Sequence, residues 1–89
     1  MKGEFRKGDV VVQMGGKNAY VVSRRHGIWY EVKYLWSNLV CKGDVHYFSL
    51  DFAYVKVDHC KDPYDIDEVF KKLSQIACKF DKDDMGENS

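Results

Sequence analysis

Apolar and polar residues alternate with a period of two over residues 5–57, a pattern typical of short β-strands buried on one face. The alternation and its breaks predict strands over residues 9–14, 19–25, 28–36, 45–49 and 53–57. Residues 37–44 fit either a long hairpin tip or a short extra strand, and residues 50–52 fit a single helical turn. Short strands joined by tight turns predict a mainly β fold, a small five-stranded SH3-like barrel.

The third predicted strand is the longest and has two unlike faces. Its even positions are all apolar or aromatic, namely Ile28, Tyr30, Val32, Tyr34 and Trp36. We therefore expect the even positions to face the core. The opposite face then carries Trp29 beside Glu31 and Lys33, so one large ring lies among residues that are expected to meet solvent.

After Lys61 the apolar period changes from two to about 3.6, which predicts one amphipathic α-helix over residues 61–80. Its apolar stripe consists of Ile66, Val69, Phe70, Leu73, Ile76, Ala77 and Phe80. Asp65 and Glu68 form an Asp-led variant of a capping box at its start. A lone helix does not keep such a stripe in water, so we expect it to pack on its own barrel or on a partner.

The chain therefore divides into a barrel over residues 1–60, a helix over residues 61–80 and an acidic tail over residues 81–89. The tail is almost free of apolar residues and is predicted to be disordered. Residues 1–60 carry nine Lys/Arg against six Asp/Glu, or +3, and residues 61–89 carry five against eight, or −3. The charge of the barrel is too small to indicate nucleic-acid binding on its own.

The length of 89 residues suits one globular domain. No apolar run approaches the roughly 20 residues that span a bilayer, and no signal-peptide pattern opens the chain, so we expect a cytoplasmic protein without a membrane partner. Cys41, Cys60 and Cys78 are odd in number and widely spaced. This favours reduced thiols over a disulfide framework.

Several short motifs resemble those of a family of small uncharacterised bacterial and phage proteins. The motifs are Gly8-Asp9-Val10-Val11, Gly15-Gly16-Lys17, Tyr20-Val21-Val22, Gly27-Ile28-Trp29, Phe48-Ser49-Leu50 and Tyr54-Val55-Lys56-Val57. The family has a Gly-Asp-Val-Val strand, a Gly-Gly loop and a Gly-Val-Trp strand entry. The resemblance implies an SH3-like fold over residues 5–57 and supplies no catalytic residues. Here Lys17 replaces the family's Pro after the Gly-Gly pair, and the connection between Trp36 and Val45 is longer.

A fainter similarity is to the KOW motif of ribosomal and transcription-elongation proteins, in which Lys-Gly-Asp-x-Val opens an SH3-like barrel. Lys7-Gly8-Asp9 matches that opening, and Arg24 and Arg25 keep its basic character, whereas its glycine spacing is missing. This resemblance implies weak nucleic-acid binding.

Catalytic, cofactor and metal signatures are missing from the sequence. It has no Gly-x-Ser-x-Gly elbow, no phosphate loop and no Cys-x-x-Cys spacing. His59 and Cys60 would offer two metal ligands, with Cys41 or His46 from neighbouring strands, but a linker with a buried thiol explains them better. We therefore expect a non-enzyme without cofactor or metal.

A set of basic residues accompanies the aromatic residue of the third strand. The candidate partner-binding residues are Arg24, Arg25, Trp29, Lys33 and Lys42. An exposed Trp beside cations can stack on a base, hold a cation or anchor a peptide. The structural alternative is that Trp29 lies beneath the appended helix.

These observations favour a protein-interaction module, a phage or bacterial accessory factor that binds a host or partner protein. The alternative is a KOW-like nucleic-acid-binding module that uses the basic and aromatic face of the barrel. The helix stripe leaves open a monomer or a helix-mediated homodimer.

Overall fold

The computed structural model describes the backbone of residues 4–88 and the side chains of residues 4–79. The elements are β1 (Asp9–Gln13), β2 (Ala19–His26), β3 (Trp29–Trp36), β4 (Leu39–His46), α1 (Tyr47–Ala53), β5 (Tyr54–His59) and α2 (Ile66–Asn88). The five strands form one antiparallel sheet in the order β4-β3-β2-β1-β5. The prediction of a mainly β domain with a C-terminal helix is confirmed. The sheet of the described strands does not close, so the barrel itself stays a prediction.

The hairpin of β3 and β4 decides between the alternatives left open for residues 37–44. Ser37 and Asn38 have φ angles of +53° and +67°. Two successive positive φ angles match the twist of a two-residue hairpin turn, and Trp36 pairs with Leu39 directly across it. Residues 37 and 38 therefore form a tight turn. Residues 39–44 belong to β4, which begins six residues before the strand predicted over residues 45–49.

The strand predicted over residues 45–49 ends early, because α1 begins at Tyr47. His46 is the last residue of β4, and its ring Nδ1 accepts a hydrogen bond from the backbone N–H of Phe48 at 3.2 Å. This contact caps the helix, as a side-chain acceptor at the N-cap position does. The predicted single turn over residues 50–52 is consequently the middle of a longer helix.

Both faces of the sheet are covered by apolar residues. One core consists of Val11, Val22, Tyr30, Val32, Leu50 and Tyr54. The other consists of Val10, Val21, Cys60, Val69 and Leu73. Successive side chains of a strand point to opposite faces, so the adjacent valines of β1 and of β2 enter different cores. This explains why both strands contain apolar pairs where a half-buried strand would alternate.

Helix α2 packs on the sheet of its own chain. Val69 and Leu73 are buried against Val10 and Val21. The carboxylate of Asp65 accepts the N–H of Asp67 at 3.1 Å, so this half of the predicted capping box is confirmed. The carboxylate of Glu68 instead accepts the N–H groups of Lys61 and Asp62 at 2.8 and 3.0 Å, so the reciprocal half is wrong. The tail predicted over residues 81–89 lies outside the residues whose side chains are described, and its disorder stays a prediction.

The predicted core face of β3 is confirmed only in the middle of the strand. Tyr30 and Val32 are buried, whereas Ile28 and Trp36 are 50% and 69% exposed. Ile28 lies in the turn before β3, and Trp36 is its last residue. Both therefore fall outside the part of the strand that contributes to the core.

Within the described residues, no helix combines the length and apolar character needed to cross a bilayer. The three cysteines are unpaired, as expected.

Candidate functional site

Five rings form a continuous series where β3 begins and β4 ends. They belong to Trp29, His46, Tyr47, Phe48 and Phe52, which we call the aromatic strip. Successive ring centroids are 5.4, 4.8, 6.4 and 5.9 Å apart, within the range of favourable aromatic contacts. Trp29, Phe48 and Phe52 nevertheless remain 41%, 59% and 75% exposed. The strip is thus ordered by ring contacts and open to solvent.

The orientation of α1 places two of these rings outside. Leu50 is fully buried in the first core and anchors the helix. Phe48 and Phe52 lie two residues before and after it, which turns them about 200° around the helix axis. They are four residues apart, so both project from the same side of the helix. Burial of Leu50 therefore requires exposure of both phenylalanines.

Backbone contacts fix the other end of the aromatic strip. Trp29 pairs with His46 across β3 and β4, which brings their side chains to the same face of the sheet. The N–H of Tyr47 donates to the carbonyl of Ile28 at 2.8 Å and fastens the start of α1 to the turn between β2 and β3. The rings are therefore carried by a strand end and a helix start that are tied together.

Arg25 adds a cation beside the aromatic strip. Its guanidinium lies 5.1 Å from the ring centroid of Tyr47 and 5.7 Å from that of Tyr30, and its Nε donates to the carbonyl of Gly27 at 3.0 Å. None of the described carboxylates forms an ion pair with it. The positive charge is held in place on two rings without being neutralised.

Tyr30, which is buried under the guanidinium of Arg25, is held in place by two hydrogen bonds. Its hydroxyl donates to the carboxylate of Asp51 at 2.8 Å and accepts the N–H of Phe5 at 3.2 Å. Burial of the phenol, together with its hydrogen bond to Asp51, raises the pKa of Tyr30 to about 12. The phenol therefore stays protonated and fixed under the Arg25 guanidinium at neutral pH.

The two arginines predicted as one basic cluster lie on opposite faces of the sheet. Arg24 pairs with Glu31, on the face that also carries Trp29, and its Nε is 3.4 Å from Oε1 of Glu31. Arg25 pairs with Tyr30 and lies on the face of α1. Of these two arginines, Arg25 is the one that brings to the aromatic strip a positive charge without an ion pair among the described residues.

The expectation that Lys33 meets solvent is wrong. The residue is only 7% exposed, its Nζ donates to the carbonyl of Pro63 at 2.8 Å, and it lies 5.0 Å from the ring centroid of Tyr64. Its aliphatic stem runs beneath the segment that precedes α2, and the buried ammonium finds an acceptor there. Lys33 therefore has a structural contact in place of a free surface position.

Lys42 is the remaining predicted binding residue and lies apart from the others. It is exposed and stands opposite Lys33 in the register of β3 and β4. Four residues separate it from His46, which corresponds to about 13 Å along the strand. Of the predicted set, Trp29 and Arg25 belong to the candidate site, with Arg24 beside it.

We expect the Lys33→Met variant to be less stable than the parent chain by about 1–3 kcal/mol, because the buried carbonyl of Pro63 loses its charged donor. Urea unfolding followed by circular dichroism measures the difference. The matched control is Lys42→Met, which changes the exposed lysine directly opposite Lys33 on β4 and should alter stability by less than about 0.5 kcal/mol. Equal effects of the two substitutions would contradict the structural role of Lys33.

Most of the aromatic strip is missing from the residues predicted from the sequence. His46, Tyr47, Phe48 and Phe52 lie in a stretch that is interpreted as a strand and a turn when only the period is considered. The available signal is the density of aromatic residues over residues 46–54, with two phenylalanines four positions apart.

The residues considered as metal ligands have other partners. Nδ1 of His59 lies 3.2 Å from Oδ1 of Asp9. Cys60 is fully buried, its Sγ is 3.5 Å from the carbonyl of Asp62, and burial raises the pKa of its thiol. The described part of the chain contains no group of three His, Cys, Asp or Glu residues placed to hold a metal ion.

Comparison with protein-family models, curated proteins and solved structures gives no match to this chain. The resemblance to the Gly-Asp-Val-Val family and to the KOW motif stays a prediction.

Proposed function

We propose that the chain is a non-enzymatic protein-interaction module whose aromatic strip, together with Arg25, binds an apolar segment of a partner protein. The observation that carries this proposal is the exposure of Trp29, Phe48 and Phe52 within one series of touching rings. A contiguous apolar patch that remains exposed on a small domain typically marks an interaction site. Aromatic residues and arginine are also the residues that contribute most to binding at protein interfaces.

The charge beside the aromatic strip indicates the chemistry of the partner segment. The guanidinium of Arg25 is oriented by the carbonyl of Gly27 and by two rings, and it forms no ion pair with a described carboxylate. A carboxylate of the bound protein segment could therefore form an ion pair with it. The preferred partner segment therefore carries aromatic or aliphatic side chains next to an Asp or Glu. Such a segment would bury the exposed rings and pair the free cation.

The proposed setting is a cytoplasmic bacterial or phage accessory factor built on an SH3-like barrel. Consecutive hairpins from β1 to β4, with α1 leading into β5 beside β1, support this more specific description of the sheet. The Gly8-Asp9-Val10-Val11 motif supports the proposed bacterial or phage origin only through its resemblance.

Nucleic-acid binding is the second candidate function, because the exposed ring of Trp29 could stack on a base beside Arg24, which lies on the same face of the sheet. The distribution of charge favours it less. Arg24 is paired with Glu31, and the buried Lys33 donates to the carbonyl of Pro63, so two of the predicted basic binding residues already have partners within the chain. The chain as a whole carries no net charge.

Selection from a random-peptide library on the intact chain tests the proposed function. We expect the selected peptides to combine aromatic or aliphatic residues with an acidic residue, and to bind at least about tenfold more weakly to Trp29→Ala and to the double variant Phe48→Ser/Phe52→Ser. Removing these side chains deletes the exposed rings and leaves buried Leu50 in place. Calorimetric titration of a selected peptide gives the affinities.

The control variant is Val57→Ser, because Val57 is 51% exposed on β5 and lies outside the aromatic strip. It should bind the peptide as the parent chain does. A single-stranded DNA oligonucleotide is titrated in parallel at low and moderate salt. Peptide binding that survives loss of the strip, or DNA binding that falls steeply with salt and requires Arg24, would reject the proposal.

A further inference from the structure

Strand β4 forms one edge of the sheet. It stands first in the order β4-β3-β2-β1-β5, and no strand among residues 4–88 pairs with its outer side. Its eight residues contain no proline and keep an unbroken register with β3. The other edge strand, β5, has six residues and a shifted register with β1. Because short length and bulges protect an edge strand from further pairing, β4 is the less protected edge.

The register with β3 shows which backbone groups of β4 face outward. Opposite residues of an antiparallel pair alternate between those that exchange hydrogen bonds and those that do not. Trp36 and Leu39 close the two-residue turn and are of the first kind. The N–H of Tyr47 donates to the carbonyl of Ile28 at 2.8 Å, which fits the same alternation at the other end of the hairpin. The residues of β4 whose N–H and carbonyl groups point away from β3 are therefore Val40, Lys42 and Asp44. No backbone group among residues 4–88 bonds to them from the outer side.

The side chains of this edge supply an unpaired charge and lead to the aromatic strip. Lys42 is exposed and forms no ion pair with a described carboxylate. Asp44 lies 3.4 Å from Nε2 of His26. His46 belongs to the aromatic strip and is four residues, or about 13 Å, from Lys42 on the same face of the strand. An extended segment along this edge therefore meets aromatic rings at one end and an ammonium group farther along.

We propose that the partner segment binds as an additional strand along the outer edge of β4. This inference rests on the proposed function, because it assigns a conformation and a second contact to the segment that the aromatic strip binds. An extended backbone satisfies the outward N–H and carbonyl groups of β4 at alternate residues, whereas a helix bonds its own backbone groups internally. Charge complementarity defines the side chains: the residue opposite His46 is aromatic or aliphatic, and the residue opposite Lys42, four positions away, is Asp or Glu.

A synthetic peptide with this pattern tests the inference on the intact chain. The probe is acetyl-Thr-Phe-Thr-Lys-Thr-Glu-Thr-Val-Thr-amide, which in antiparallel pairing places Phe opposite His46 and Glu opposite Lys42. Amide hydrogen exchange of the isotope-labelled chain is followed by NMR. In the free chain, the outward amide of Lys42 should exchange faster than those of Cys41 and Gly43, which face β3. At about ten times Kd, the probe should slow exchange of the outward amides by about tenfold.

Backbone methylation of the probe provides the matched peptide control. N-methyl groups on its Lys and Glu remove the donors that face β4, so they should weaken binding at least about tenfold. N-methyl groups on the two Thr residues that flank Glu point away from β4. These should weaken binding by less than about threefold.

Two variants of the chain test the charged contact. The parent chain should prefer the probe to its analogue with Gln in place of Glu by about twofold to fivefold, and Lys42→Gln should remove this preference. Lys61→Gln is the matched control, because it changes an exposed lysine that follows β5, the other edge strand. It should keep the preference of the parent chain.

The outcomes separate this inference from the proposed function. Binding that requires Trp29 but leaves exchange of the outward amides unchanged, or that tolerates both methylated probes equally, would overturn the added strand and leave the proposed function in place. Slower exchange with unchanged affinity in Trp29→Ala would support the added strand and contradict the role of the aromatic strip. Absence of binding at millimolar probe would overturn the inference. So would protection that rises with chain concentration without probe, because a second copy would then occupy the edge.

Discussion

The Gly8→Ala variant is expected to lose about 3–4 kcal/mol of stability, because two costs add at this position. Gly8 has a φ of +93°, a conformation that an L-residue adopts only with strain. An added Cβ would also meet the backbone carbonyl of Cys60 and would lie 2.8 Å from the ring Cε1 of His59. The carbonyl belongs to the backbone and cannot turn away as a flexible side chain does. Urea unfolding of the parent chain and the variant gives the difference.

The position of Gly8 explains why the contact with Cys60 cannot relax easily. Its N–H donates to the carbonyl of Val22, and its carbonyl accepts the N–H of Cys60, so it joins β2 to the end of β5. The control is Gly15→Ala, where φ is +74° and an added Cβ would meet nothing within 4 Å. That variant should lose only about 1–2 kcal/mol, the cost of the backbone conformation alone. Equal losses would mean that the close approach at Gly8 is absent.

The Leu73→Ala variant is expected to lose about 2–5 kcal/mol of stability, as large-to-small substitutions in a packed core do. Leu73 is 2% exposed and packs with Val69 against Val10 and Val21. Its truncation would open a cavity between α2 and the sheet. Thermal and urea unfolding measure the loss.

Ile66→Ala is the matched control for Leu73, because it removes the same number of carbon atoms from a side chain of α2 that is 50% exposed. It should cost less than about 1 kcal/mol. The experiment also tests whether α2 packs within one chain. The effect of Leu73→Ala should not depend on protein concentration, and sedimentation should show a monomer. Stability that rises with concentration would instead indicate that α2 packs on a second copy.

The strands β1 to β3 and the C-terminal helix are predictable because the apolar residues that each buries are close together in the sequence, either in short runs or at a regular spacing. Strand β2 is predicted to end one residue before His26, and β3 to begin one residue before Trp29. The change of period after Lys61 reflects a helix with one face on the sheet. In each case the residues that decide the structure are neighbours in the chain.

The boundary between β4 and α1 could not be predicted from the local pattern of apolar residues. His46, Tyr47 and Phe48 suit a strand by their intrinsic preference, which favours aromatic residues on a half-buried surface. The last two instead begin α1, because Leu50 is buried in the first core and the N–H of Tyr47 donates a hydrogen bond to the carbonyl of Ile28. Those contacts join parts of the chain that are distant in sequence, so no local period reports them.

The candidate site was predictable only in part for the same reason. Alternation predicts the face of Lys33 correctly, but the segment that covers it lies 30 residues away, at Pro63. The register of β2 against β3 shifts between Val22 and Arg24, a bulge that single-strand alternation does not reveal. Trp29 was identifiable because one large ring stood among polar neighbours.

The central claim is that the aromatic strip binds a partner protein. The direct measurement is site-specific photo-cross-linking in cells that express the chain. A benzoylphenylalanine replaces Phe48 in the strip or, as the control, Val57 on β5; these side chains are 59% and 51% exposed. We predict an ultraviolet-dependent adduct with one protein from position 48, lost with Trp29→Ala, and no such adduct from position 57. The same adducts from both positions, or a nuclease-sensitive adduct from position 48, would contradict the claim.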